Sequence, residues 1–358
     1  MVLLNIDTTM KILRRKNTSI MKTKYFSGLM NNDDKILDSL AHDIGKLTPH
    51  EILEALVSSG APEYSEFILL NYFKDEMLEV NELIDESFEK GQTKQSFEDV
   101  HVIYTSIAKR VGLHSALELV QLKNCSHRAD KLNSLFNGFS KTLGPLEISF
   151  EGISASDICQ CVDGKLYSAL WKRIEMKFEK SYNYSLCTMF LTQFLDQRIV
   201  VSNTNDSVSY TYYDYGKRSA FVYTPPVKNL STFSDLLHEM GHAFELINQP
   251  EWLVDRKIFG HHDIPIYLSE FSSIEFQYTK LRDFLVPLDG SYRNGIYMLL
   301  LAEYVKQREI ANFLLKSWRD GHIQGDLMAM RPDIVFHPYQ STYYAYPLAL
   351  KRMLETSL

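Results

Sequence analysis

Five consecutive residues, His238-Glu239-Met240-Gly241-His242, constrain this chain more than any other stretch. In a helix, His238 and His242 sit one turn apart on one face. Two neutral imidazoles at that spacing can grip one Zn²⁺, and Glu239 stands beside them as a general base. The flanks predict the helix. Ser231 or Thr232 offers an N-cap, with Asp235 three residues after Thr232 as in a capping box. Phe233, Leu236, Leu237, Met240, Ala243, Phe244 and Ile247 form a broad apolar surface, and Asn248 with Pro250 ends the run. So broad a surface predicts burial. A buried helix bearing two imidazoles and a carboxylate would strand polar groups unless something holds them, which favours a metal.

Two histidines leave a metal short of a protein ligand, and a second acidic helix should supply it. Asp263-Ile264-Pro265 reads as a helix start, with Ile266 to Val286 following up to Pro287. Glu270 and Glu275 are the carboxylates within it. Glu270 shares a face with Ser273 and is the preferred ligand. Glu275 turns away on the helical wheel and is left as a hydrogen-bonding support. His261 and His262, in the loop before this helix, are the rival third ligands.

With 358 residues the chain can bury a large core. A net charge of −7, with no basic block after the N-terminus, argues against nucleic acid as a partner. The basic stretch Met1 to Lys24 has no apolar core and reads as a frayed tail rather than a secretory signal. No apolar run approaches the ~20 residues that span a bilayer, so no membrane partner is expected. Cys125, Cys159, Cys161 and Cys187 make neither a disulfide framework nor a paired C-x-x-C site, as suits reduced thiols in the cytoplasm.

Residues 25–200 read as a helical N-terminal part, and 201–358 as the metal-binding part. Thr48-Pro49-His50-Glu51 starts one helix, with a cap, a first-turn proline and a glutamate at the third position. Glu63 to Lys90 reads as a helical stretch broken once, Ser96 to Arg110 as another, and His114–Leu122, His127–Leu143, Leu166–Lys180 and Tyr184–Gln197 continue the pattern. The character changes at Asn203. Ser207 to Tyr213 and Ala220 to Thr224 are β-branched and aromatic, joined by Tyr215-Gly216-Lys217-Arg218, which predicts a β-hairpin just before the histidine-bearing helix. The edge of that hairpin could pair with an extended peptide, or it could be purely structural.

Taken together, these pieces resemble the oligoendopeptidase F and thimet oligopeptidase family of zinc peptidases. The resemblance rests on His238-Glu239-Met240-Gly241-His242, on Glu270-Phe271-Ser272-Ser273, and on the tail Tyr339-Gln340-Ser341-Thr342-Tyr343-Tyr344-Ala345-Tyr346, and it covers roughly residues 205–350. It implies a mainly α-helical zincin-type fold with a small hairpin or sheet beside the metal helix. It implies one Zn²⁺ on His238, His242 and Glu270, and a water activated by Glu239. Tyr346 and Tyr339 would hydrogen-bond the substrate and the oxyanion, helped by His337. The substrate would be a short or unfolded peptide. Glu245 and Gln277 stand where the family often has His and Glu. The alternatives are a catalytically silent peptide- or partner-binding relative, and a zinc peptidase of another H-E-x-x-H family.

Overall fold

The computed structural model describes residues 20–28, 33–59, 62–90, 93–124, 131, 134–135, 137–138, 148–160, 165–181, 185–205, 208–214, 216–248, 266–323, 335–336, 338 and 341–355. The described chain is mainly α-helical with two small sheets. Among these residues no helix is long and apolar enough to cross a membrane. Contacts divide the chain into two compact units, neither a single stretch: Met1–Asp130 with Ala311–Tyr339, and Lys131–Ile310 with Gln340–Leu358.

In the first unit, helices Asp34–Ile44, Pro49–Ser59, Pro62–Tyr72, Lys74–Lys90, Thr93–Arg110 and Ala116–Lys123 follow one another through short turns. The expected break in the second helical stretch falls at Phe73. The box at Thr48 forms as its spacing predicts: Glu51 accepts from the Thr48 amide at 2.9 Å, and the Thr48 hydroxyl accepts from the Glu51 amide at 3.4 Å. Trp318, fully buried, packs on Phe97 and Tyr104, with ring centroids 4.7 and 5.4 Å apart. His127–Leu143 falls largely outside the described residues, and Tyr184–Gln197 is helical only over Ser185–Leu191, with a 3₁₀ turn after it.

The second unit holds the sheet and the helices on which the sequence motifs lie. A two-stranded ribbon pairs β1 (Ser149–Phe150) with β2 (Ile153–Ser154). The larger sheet has three strands, β3 (Ile199–Asn203), β4 (Tyr210–Asp214) and β5 (Ser219–Thr224), in the order β3-β5-β4. β4 and β5 are the expected hairpin, pairing Tyr212 with Phe221 and Thr211 with Val222. β3 was not expected. It pairs parallel to β5, Val201 opposite Val222, so a central strand was read as half of a hairpin. A five-residue strand made by a long-range parallel pairing leaves little local signature.

Alternation sends Ala220, Val222 and Thr224 of β5 inward, where they are buried, under the His helix Leu230–Asn248. That helix buries Leu230, Phe233, Leu236, Leu237, Met240, Ala243 and Ile247, as its apolar surface predicts. Its cap differs from the expected one. Asn229, not Ser231 or Thr232, closes the first turn, its Oδ1 accepting from the Thr232 amide at 2.8 Å. Glu175 accepts from the Ser231 amide at 3.2 Å, placing a carboxylate at the positive end of the helix. Arg198 donates to the Ile247 carbonyl at 3.0 Å near the other end. Against the His helix packs the Glu helix, Ile266–Leu285, and against that the tyrosine helix, Ser341–Glu355. Asn229→Ala should therefore cost about 1 kcal/mol in urea unfolding, with the slope unchanged, whereas Ser231→Ala should cost a few tenths at most.

Candidate metal centre

The His helix and the Glu helix touch almost backbone to backbone. A Cβ built on Gly241 would lie 2.6 Å from the Ser273 Cα and 3.0 Å from its carbonyl oxygen. His238 and His242 flank Gly241 on one helix, and Glu270 lies one turn before Ser273 on the other. The crossing therefore aims all three side chains at one point. His238 Nε2 stands 3.6 Å from one Glu270 oxygen, and His242 Nε2 stands 3.7 Å from the other. One ligand atom from each of the three lies within 4.8 Å of the others. Donors about 2.0–2.2 Å from a tetrahedral ion sit roughly 3.3–3.6 Å apart, so the spacing fits a divalent ion with modest closing.

Hydrogen bonds on the far side of each ring fix which nitrogen faces the centre. His238 Nδ1 lies 3.3 Å from Gln277 Oε1, and the Gln277 amide nitrogen donates to Ser234 Oγ at 2.9 Å. An amide oxygen only accepts, so Nδ1 carries the proton and Nε2 presents its lone pair. His242 Nδ1 lies 3.2 Å from Ser269 Oγ, and Ser269 donates to Glu245. The serine proton is thus committed to Glu245, and its oxygen accepts from Nδ1. Burial pushes the His238 pKa down to about 4, only weakly opposed by Gln277, so the ring is neutral at physiological pH, as a ligand must be.

Glu239 points to the sheet side of the cluster. Thr211 of β4 donates to it, its hydroxyl 2.7 Å from Oε2 and 2.9 Å from the Glu239 carbonyl oxygen. Burial raises the Glu239 pKa, the Thr211 hydrogen bond holds it down, and the Asp235 charge raises it again. Tyr346, on the tyrosine helix, has its ring centroid 6.4 Å from that of Tyr278. Burial first, then the negative charges of Glu303 and other neighbours including Glu270, hold its hydroxyl well above the usual phenol range. It is a neutral donor within the electrostatic reach of Glu270.

The structure thus gathers His238, His242 and Glu270, with Tyr346 within electrostatic reach of Glu270, while Glu239, next to His238 in the chain, is bonded by Thr211. His337, Tyr339, His261 and His262 lie outside the described residues. Glu275 takes no part in the cluster and pairs instead with Arg352 at 3.3 Å, joining the Glu helix to the tyrosine helix. Thr211, Ser269 and Ser234 were not singled out from sequence. Ser269 could have been, since it directly precedes Glu270 and lies one turn before Ser273 on the same helix.

No protein-family model matches the chain, and no curated protein matches it. Solved structures similar to it include a candidate oligoendopeptidase F from Bacillus anthracis str. Ames, at 12% identity and a TM-score of 0.40, over 96% of this chain and 74% of that one. PZ peptidase A with an inhibitor is similar at 14% identity and a TM-score of 0.34, over 89% and 65%. A second candidate oligoendopeptidase F gives 14% and 0.36, over 99% and 73%. Superpositions this loose leave the geometry of the centre as the basis for assigning a function.

Two outcomes test that geometry. Gly241→Ala in an ordinary helix would stabilise by up to about 1 kcal/mol. Here the added carbon meets backbone, so the variant should lose about 1–3 kcal/mol in thermal unfolding and bind metal more weakly in a competition titration. The second concerns acid. A His238 pKa near 4 when folded and near 6.5 when unfolded means that the unfolded chain binds more protons between those values. Stability should therefore fall as pH drops from 6.5 to 4, by about 3 kcal/mol in metal-free protein, and His238→Gln should remove that part of the slope.

Proposed function

We propose that this protein is a zinc-dependent peptidase that hydrolyses short or unfolded peptides. The observation that supports it most is the convergence of His238 Nε2, His242 Nε2 and the Glu270 carboxylate, with a second carboxylate, Glu239, held beside them. Two neutral imidazoles and one carboxylate are a donor set of hydrolytic zinc sites, which leave a position open for water or substrate. A zinc ion there would acidify water toward neutrality and polarise the scissile carbonyl.

The residues of the chain would do the rest. Glu239 takes a proton from the attacking water as its oxygen bonds to the carbonyl carbon, then delivers that proton to the departing amine as the C–N bond breaks. Tyr346, kept neutral by its surroundings, donates to the developing oxyanion. β4 lies at an outer edge of the strand order and can take an extended peptide by main-chain hydrogen bonds, next to the strand residue that contacts Glu239. Tyr339 and His337 join this assignment through the resemblance of the tail alone. The partner is a peptide, without a role for nucleic acid or membrane, and the working compartment is the cytoplasm.

The test compares parent and Glu239→Gln by metal analysis and digestion of a peptide library. The parent should carry one zinc per chain and cleave, and the variant should keep zinc and lose cleavage. A chelator should abolish cleavage and added zinc restore it. Tyr346→Phe should lower kcat by about 10²–10³ with zinc retained. A parent that binds no zinc, or a Glu239→Gln variant that cleaves like the parent, would overturn the assignment.

A further inference from the structure

We propose that Thr211 is a positioning residue that fixes the Glu239 carboxylate from across the sheet–helix interface; the inference builds on the reading of Glu239 as the proton carrier. The Thr211 hydroxyl has one proton and faces two acceptors, Glu239 Oε2 at 2.7 Å and the Glu239 main-chain oxygen at 2.9 Å. Both belong to the same residue. Whichever oxygen receives the proton, the hydroxyl stays at residue 239 and can shift between its side chain and its backbone without leaving it. A glutamate on a helix otherwise turns freely about its side-chain bonds, and a hydrogen bond to its ionised oxygen is among the stronger ties available to hold it.

The strand register makes this placement specific. Thr211 pairs with Val222, whose side chain is buried toward the His helix, while its neighbours Tyr210 and Tyr212 pair with Tyr223 and Phe221. Alternation sends the two tyrosines to the opposite face, where they are 45% and 57% exposed. Position 211 is thus the point of β4 that turns a polar side chain to the helix at the level of Glu239. Tyr213, the next inward position, is buried. A β-branched side chain suits the strand and restricts the rotation that would swing the hydroxyl away. Valine keeps that shape without the hydroxyl, and serine keeps the hydroxyl without the branch.

The consequence for catalysis is positional. A proton carrier displaced by about an ångström can cost on the order of 10² in rate. Thr211→Val should therefore lower kcat on a fixed peptide at least tenfold while KM and bound zinc stay within twofold, and Thr211→Ser should recover most of the loss. Unchanged kcat in Thr211→Val, or a serine variant as slow as valine, would overturn the proposal. A readout independent of activity accompanies it: urea unfolding of metal-free Thr211→Val, Glu239→Ala and the double variant. The double variant should shift the midpoint by less than the sum of the single shifts. Additive shifts overturn the tie whatever the turnover. A clear coupling in a parent that cleaves no peptide upholds the tie and overturns the peptidase reading alone.

Discussion

The near-contact of two backbones at Gly241 and Ser273 is the constraint on which the centre depends. Helices usually pack 8–10 Å apart because side chains keep them there. Here the glycine supplies no side chain, and the other helix comes close enough that one added carbon would strike its Cα. Side chains within one turn of such a crossing converge at short range. That is how two imidazoles from one helix and a carboxylate from the other meet with their donor atoms 3.6–3.7 Å apart. A wider crossing would leave Glu270 too short to reach between the rings. The fourth position of the pentad is thus as much a part of the centre as the residues that carry its chemistry.

The two histidines are supported differently. His238 leans on the neutral amide of Gln277, itself held by buried Ser234. His242 leans on Ser269, which passes the load to the carboxylate of Glu245. Gln277 directly, and Glu245 through Ser269, both stand behind the histidines. A charged group in one place and a neutral group in the other keep both ring tautomers correct while placing only one extra carboxylate near a half-buried cluster.

Much of this was legible in the residues because the decisive signals are local. The helix over the pentad follows from spacing and stop residues, and the Glu helix from its proline start and its length. The broken stretch before Lys90 and the box at Thr48 were likewise readable over a few residues. What escaped was non-local or depended on a choice among near-equals. Asn229, Ser231 and Thr232 are all good caps, and only the path of the chain out of β5 selects the first. β3 is five residues that gain their partner from a strand much later in the chain. Thr211 looks like any polar residue in a strand until the register shows which face it takes. Glu275 sits on the same helix as Glu270, yet the tyrosine helix claims it through Arg352.

Charge makes this centre one that could hold a cation. Burial keeps His238 neutral, so that ring cannot offset the Glu270 carboxylate with a proton at physiological pH. Glu239 adds a second carboxylate close by, and Asp235 a third whose charge it feels. Tyr346 and Tyr278 stay un-ionised, raised first by burial and then by carboxylates, Glu303 on both, with Glu270 on Tyr346 and Asp235 on Tyr278. Half-buried carboxylates beside the neutral His238 ring are an unfavourable arrangement without a cation to balance them. A divalent cation held by His238 Nε2, His242 Nε2 and the Glu270 carboxylate would make these negative neighbours favourable. Burial is the larger cause of the raised Glu239 and Tyr346 values, and the neighbouring negative charges that add to it are what would hold a cation in place.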